Sequence, residues 1–293
     1  MEKEITPINK LSWSDKLKSY TKHPGSFVLL LLVSISAVLT VTVLIYLVGY
    51  ILIHGVPYLK PDLFSFTYNS DNVSMMPAIM NTVTMVLLAL LFSVPFGIGA
   101  AIYLVEYAKK GNKLVELVRV TAETLTGIPS IVYGLFGMLF FVRALGWDYS
   151  MLAGAATLAI MVLPVIMRTT EEALLCVPDS FREGSFGLGA GKLRTIFKIV
   201  LPSAIPGILS GVILAIGRIV GETAALIYTA GTVAQVAGIM NSGRTLAIHM
   251  YSLSREGLHT NEAYATAVVL LVVVLLINGL SSLIARKLES AKE

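Results

Sequence analysis

Residues 27–53 contain no charged side chain and are almost all apolar. That is more than the about 20 residues an α-helix needs to cross the hydrocarbon of a bilayer. Inside lipid, only helices and closed barrels satisfy their own backbone polar groups, so the run predicts a spanning helix. Further apolar stretches lie near 79–105, 125–142, 151–167, 205–228 and 263–284. Together they predict an all-α integral membrane protein with six transmembrane helices. With 56% hydrophobic and 14% charged residues, and a mean hydropathy of +0.80, the 293-residue chain has little left for a soluble domain. The first run ends in His54-Gly55-Val56-Pro57 without a small-residue cleavage site, so we expect it to stay in the chain as the first helix.

The net charge of +4 reports orientation once its sources are located. Five lysines precede the first span. Lys109, Lys110, Lys113 and Arg119 lie in the second loop, Arg168, Arg182, Lys192, Arg194 and Lys198 in the fourth, and Arg286, Lys287 and Lys292 after the last span. These 17 share one side, against four on the other: Lys60, Arg143, Arg244 and Arg255. The positive-inside rule then makes both termini cytoplasmic. The expected divisions are cytoplasmic tails at 1–26 and 285–293, a first helix and external loop at 27–78, and a transmembrane body at 79–284 that holds a cytoplasmic loop at 168–204. The lone Cys176 excludes an internal disulfide and a multi-cysteine metal site, and no metal centre is expected.

The 168–204 loop is long and basic, yet carries Phe181, Phe186, Leu188, Leu193, Ile196 and Phe197 among its charges, a composition suited to docking. Glu183, Gly184 and Ser185, then Gly189, then Ile199, Leu201 and Pro202 fall at the spacing of the EAA loop, and the segment resembles that loop of ABC importer permeases. The resemblance implies a coupling helix that fits a groove on a separate ATP-binding subunit. Physically, Gly189 permits a backbone that other residues disfavour, and Pro202 can begin a helix without losing a needed donor. Gly184 and Ser185 replace the two alanines; both are small, so close approach is kept. The run Gly187-Leu188-Gly189-Ala190-Gly191-Lys192 imitates a phosphate-binding loop but has Phe186 where the pattern needs glycine and Leu193 where it needs Ser or Thr. No cofactor is therefore expected on this chain. ATP and Mg2+ would be used by a partner.

The fifth apolar stretch holds Arg218 and, four residues on, Glu222 and Thr223. A charge at membrane depth is costly enough to mark function. On a continuous helix, Gly207, Gly211, Arg218 and Glu222 share a sector of roughly 60°, with Gly217 and Gly221 beside it. Such a face should meet protein or water. It is readable either as an anion path, with the Arg218 fork held by Glu222, or as a structural i,i+4 ion pair. Arg168 is a weaker path candidate that reads more simply as an interfacial anchor. Gly127, Pro129 and Gly134 read as helix packing near the start of span three, with a path-lining role as the alternative.

The segment Gly127–Gly137, with Ile128-Pro129-Ser130 inside it, and the run Gly217-Arg218 to Gly221-Glu222-Thr223 resemble phosphate-specific ABC permeases of the PstA type, in the MetI-like type I importer family. The resemblance covers the chain from span two onward. It implies that Arg218 and Glu222 act in phosphate translocation, and that the chain works with a PstC-type permease, a homodimeric PstB-type ATPase and a PstS-type receptor in a bacterial or archaeal plasma membrane. Sulfate and molybdate are tetrahedral oxyanions that the same arginine fork would suit. A secondary transporter should show repeated halves and more intramembrane ionisable groups, which the chain lacks. An intramembrane hydrolase needs a base within the bilayer, and His23, His54, His249 and His259 all fall in tails, loops or span ends.

Overall fold

A computed structural model of the chain describes residues 24–109 and 111–290, and every regular element among them is helical. The chain divides into two compact units, 1–53 and 54–293. The first supplies most of α1 (Pro24–Gly55). The lysine-rich tail expected at 1–26 lies almost wholly outside the described residues, as does the end of the C-terminal tail.

The second unit is built on three long helices, α2 (Met76–Ile102), α5 (Met151–Leu175) and α8 (Leu201–Gly221). Between them come α3 (Lys113–Thr126), α4 (Ser130–Gly137), α6 (Asp179–Gly187) and the single turn α7 (Lys192–Thr195). After α8 follow α9 (Ala224–Ile227), α10 (Leu246–Glu256) and α11 (Thr260–Ser290). The α2, α5 and α8 helices pack on one another around Met85, Leu158, Met161, Val162, Ala215 and Ile219. In lipid, close approach rather than water transfer holds helices together, so small residues sit at the crossings. A Cβ at Gly97 of α2 would lie 2.8 Å from Ile166 Cγ2 of α5, and one at Gly207 of α8 would lie 2.6 Å from Ala173 Cβ. Gly211 meets Thr169 still more closely. At Gly207 and Gly211, α8 thus approaches α5 too closely to leave room for a side chain.

Five helices are long and apolar enough to cross a membrane, and a sixth span exists if a broken pair counts as one. That pair corrects the continuous span expected at 125–142. Lys113–Thr126 and Ser130–Ala144 bend by 103° about Gly127-Ile128-Pro129. Pro129 forces the break, since the residue before a proline is pushed out of the helical region and the proline has no donor to continue the ladder. It becomes the residue that opens α4, at φ −58° and ψ 140°.

Two other boundaries move. The α5 helix continues to Leu175, so Arg168 lies two turns inside it. Pro202 stands at the start of α8, as expected, but α8 continues a helical run from Lys192 to Gly221, through a wide turn at Ile196–Val200 in which the Leu201 amide reaches back to the Ile196 carbonyl. A wide turn alters the carbonyl register and accommodates a proline a normal ladder would resist. The loop proper is 176–191, shorter than 168–204.

Candidate translocation site and coupling loop

The expected helix at 205–228 ends at Gly221. Glu222 is extended, at φ −73° and ψ 129°, and the chain restarts helically at Ala224. Glu222 is buried, and its Oε1 accepts the amide of Ala225 at 3.1 Å. Among the described residues, no ion pair joins it to Arg218. This corrects the sequence reading in which Glu222 holds the guanidinium: once the helix stops, the one-turn spacing no longer aligns the two side chains, and an orphan amide of α9 takes the carboxylate instead.

Arg218 stays in the last turn of α8, half-buried, where positive charge suits the carbonyl end of a helix. Among the described residues its guanidinium has neither a hydrogen bond nor an ion pair. Tyr133 of α4 donates its hydroxyl at 2.8 Å to the Leu125 carbonyl, which also accepts the Ile128 amide at 3.2 Å, so the side chain braces the Gly127–Pro129 break. Thr223, half-buried beside the break, donates weakly to the Gly221 carbonyl at 3.4 Å.

The two breaks meet. A Cβ at Gly134 of α4 would lie 2.8 Å from Ala225 Cα, and Gly137 packs directly on Thr157 and Thr229. Thus α4 lies backbone to backbone against α9, which fixes Gly134 as a packing residue. Among the described residues a Cβ at Gly127 would meet only the Thr124 carbonyl, at the ordinary distance of 3.5 Å. Among the described residues nothing outside their own helix backbone lies within 4 Å of a Cβ at Gly217 or Gly221, so no other helix of this chain closes on that second glycine pair. Irregular backbone at membrane depth persists only where it is covered by protein or lines a polar path. Open space beside Gly217, Gly221 and a free guanidinium is suited to the second of these.

Arg168 is otherwise engaged. Its Nε donates to Glu172 at 3.2 Å, and its Nη1 lies 3.6 Å from Glu123. With Arg119–Glu171 at 2.6 Å, this network ties α3 to α5 beside a cavity of about 300 Å³. The anchor reading suits that geometry better than a path role.

At the cytoplasmic end, α6 presents Glu183 and Gly184 to the outside, with Phe181, Phe186 and Leu188 exposed alongside, Leu188 at 92%. Gly189 has φ +82°, the conformation its place in the turn predicts. Ser185 is buried and shares a hydrogen bond with Thr195 at 2.8 Å, closing the loop on itself. The sequence reading placed Ser185 in the coupling loop as a small residue and did not foresee this bond. Behind the turn, Ile199 and Leu201 are half-buried in the helical run that carries Pro202. The sequence reading also missed Arg182, whose Nε and Nη2 both donate to Glu106 Oε1, at 3.1 and 2.9 Å.

Facing broken helices, an unpartnered cation at the break and a closed apolar loop at one end define a multi-pass transport permease. The chain belongs to the family described as the inner membrane component of binding-protein-dependent transport systems, whose pattern matches residues 93–291. It is 34% identical over 266 residues, 83% of this chain and 88% of the other, to the probable ABC transporter permease protein YqgI of Bacillus subtilis. It is 36% identical over 219 residues, 72% of each chain, to the phosphate transport system permease protein PstA of Yersinia pestis. The chain spans about half the length of the mycobacterial relatives it matches. A solved bacterial alginate ABC transporter in complex with an alginate pentasaccharide-bound periplasmic protein shares the fold, with a TM-score of 0.68 and 16% identity over 92% of this chain and 97% of that one. Permeases of this family are components of importers with further subunits.

Proposed function

We propose that this chain is one of two permease subunits of an ATP-driven importer that carries inorganic phosphate into the cell. The observation that carries the reading is Arg218, a half-buried guanidinium at a helix break with neither a hydrogen bond nor an ion pair among the described residues. A planar fork of donors with fixed charge fits two oxygens of a tetrahedral oxyanion, and a site that does not neutralise it internally leaves it available to cargo. Thr223 adds a hydroxyl beside it. Glu222 shapes the path by starting α9, where its carboxylate oxygen accepts the Ala225 amide.

One chain supplies one wall, so a PstC-type permease provides the other. A homodimer of PstB-type subunits binds ATP and Mg2+ and drives the cycle through Glu183–Pro202, and a PstS-type extracytoplasmic receptor delivers phosphate. The setting is a bacterial or archaeal plasma membrane. The phosphate relatives and the Gly217–Thr223 run support this reading, and alternating access follows as rigid-body movement of the two permeases. The test is uptake of radiolabelled phosphate, with sulfate as control, in phosphate-starved cells lacking the gene. Loss of phosphate uptake alone, restored by the gene, is expected. Normal phosphate uptake with redundant routes removed contradicts it, and selective loss of sulfate or molybdate uptake transfers the function to that oxyanion.

A further inference from the structure

Two contacts from opposite sides of the coupling loop converge on one short stretch of the second span. From α6, Arg182 clamps Glu106 and also donates to the carbonyls of Val177 at 2.7 Å and Leu174 at 2.9 Å. Only 14% of the Arg182 side chain and 8% of the Glu106 side chain remain exposed, so the pair is a desolvated, multiply bonded unit. From α7, the Lys192 ammonium sits 4.8 Å from the centre of the Tyr107 ring. Glu106 and Tyr107 lie in the wide turn Tyr103–Tyr107 that continues α2. The loop is thereby fastened to α2 from both of its halves.

The other end of α2 is fastened just as firmly. Asn81 donates to the carbonyls of Gln235 at 2.8 Å and Arg244 at 3.1 Å, and accepts the amide of Ala237 at 3.0 Å. Thr82 accepts the amide of Leu246 at 2.8 Å. These bonds hold the external segment 231–245, which follows the broken helix bearing Arg218. Twenty-five residues at about 1.5 Å each separate Asn81 from Glu106, a span of about 37 Å. Close packing on α5 braces that length, including the turn at Pro95, where the ladder lacks one donor.

We propose that α2 is the rod that carries movement of the coupling loop to the external segment 231–245, with Arg182 and Glu106 as its inner clamp and Asn81 as its outer one. The proposal rests on the chain being an importer permease, and not on its cargo. Arg182 and Glu106 are positioning residues: they touch neither cargo nor nucleotide, and act by making loop and helix move together.

The experiment uses the assembled importer in lipid nanodiscs, with Cys176→Ser removing the exposed native thiol and Val236→Cys placing a label site between Gln235 and Ala237, two of the three residues whose backbone Asn81 holds. A membrane-impermeant maleimide reads the label rate without nucleotide and after trapping with ATP and vanadate. The parent chain is expected to change rate by about fivefold on trapping, whereas Glu106→Gln, Arg182→Gln and the double variant change by less than about twofold while hydrolysing ATP at about half the parent rate or better. Equal loss in the single and double variants identifies the pair as one unit. Four results would overturn the proposal: an unchanged parent chain, a full response in the variants, hydrolysis lost in proportion to the response, or loss of the ATP-binding subunits from Glu106→Gln, which keeps an acceptor for Arg182. No cargo enters this measurement, so a wrong cargo would sink the phosphate reading and leave the rod intact.

Discussion

The carboxylate of Glu222 accepts the amide of Ala225 at 3.1 Å, at the start of a new helix, while Arg218 one turn earlier has no hydrogen bond or ion pair among the described residues. Capping needs an acceptor and not a charge. Glu222→Gln should therefore keep assembly and lose at most about threefold in uptake, whereas Glu222→Ala should cost about 1 kcal/mol of stability and most of the uptake. Thermal melting of the purified complex with parallel uptake checks this; equal loss in both variants would restore the charge-partner role.

The glycines of the site should split into two groups. Gly134→Val pushes a branched side chain into the backbone at Ala225 and should destabilise by about 1–3 kcal/mol, with low expression. Gly217→Ala meets open space in a helix and should be neutral or stabilising by up to about 1 kcal/mol. Expression and melting temperature of the two variants decide the matter, and a collapse of Gly217→Ala would reveal a close neighbour.

Asn81 tests polar organisation of the external segment. Asn81→Asp keeps size but turns a donor that serves two carbonyls into an acceptor facing them. Each buried group left unpaired costs about 1–3 kcal/mol, so the variant should lose several kcal/mol and transport with it, and should fare no better than Asn81→Ala. Full activity of Asn81→Asp would contradict the bonding described.

His249 predicts a pH dependence. It is fully buried in α10, outside the spanning helices, edge-on to Tyr68, and neither ring nitrogen has a hydrogen-bond partner among the described residues. Burial first, and then the nearby Arg244 guanidinium, lower its pKa to about 3; the Val73 backbone opposes this, short of a hydrogen bond. Folding thus favours the neutral ring. Its contribution is complete above the unfolded value near 6.5 and is lost as pH falls toward 3, about 2 kcal/mol being gone by pH 5. His249→Phe should melt with a correspondingly flatter profile between pH 7 and pH 5, and an unchanged slope would show that His249 is not the group responsible.

Much of this was legible from residue types whose physics is local. Apolar runs located the spanning helices, Gly189 announced its left-handed turn, and the Gly207–Gly211 pair announced a tight crossing. The misreadings came from positions where a helix pattern continues but the backbone does not. Gly221-Glu222-Thr223 carries no proline to mark its break, so periodicity placed Glu222 beside Arg218, and only contact between α9 and α4 reveals why the chain restarts. Pro129 did carry a signal, which a span drawn from hydropathy alone absorbed. Arg182, Glu106 and Asn81 were invisible for a different reason: their partners lie 76 to 163 residues away, and no local spacing encodes such pairs.

The central claim is that the free guanidinium of Arg218 meets the cargo, and Arg218→Lys in the reconstituted importer tests it most directly. Lysine keeps the charge and loses the fork. Phosphate uptake should fall by about tenfold or more, while the ATP-binding subunits stay bound and basal ATP hydrolysis persists. Uptake at the wild-type rate in Arg218→Lys would contradict the account and leave Arg218 a structural charge at the end of a helix.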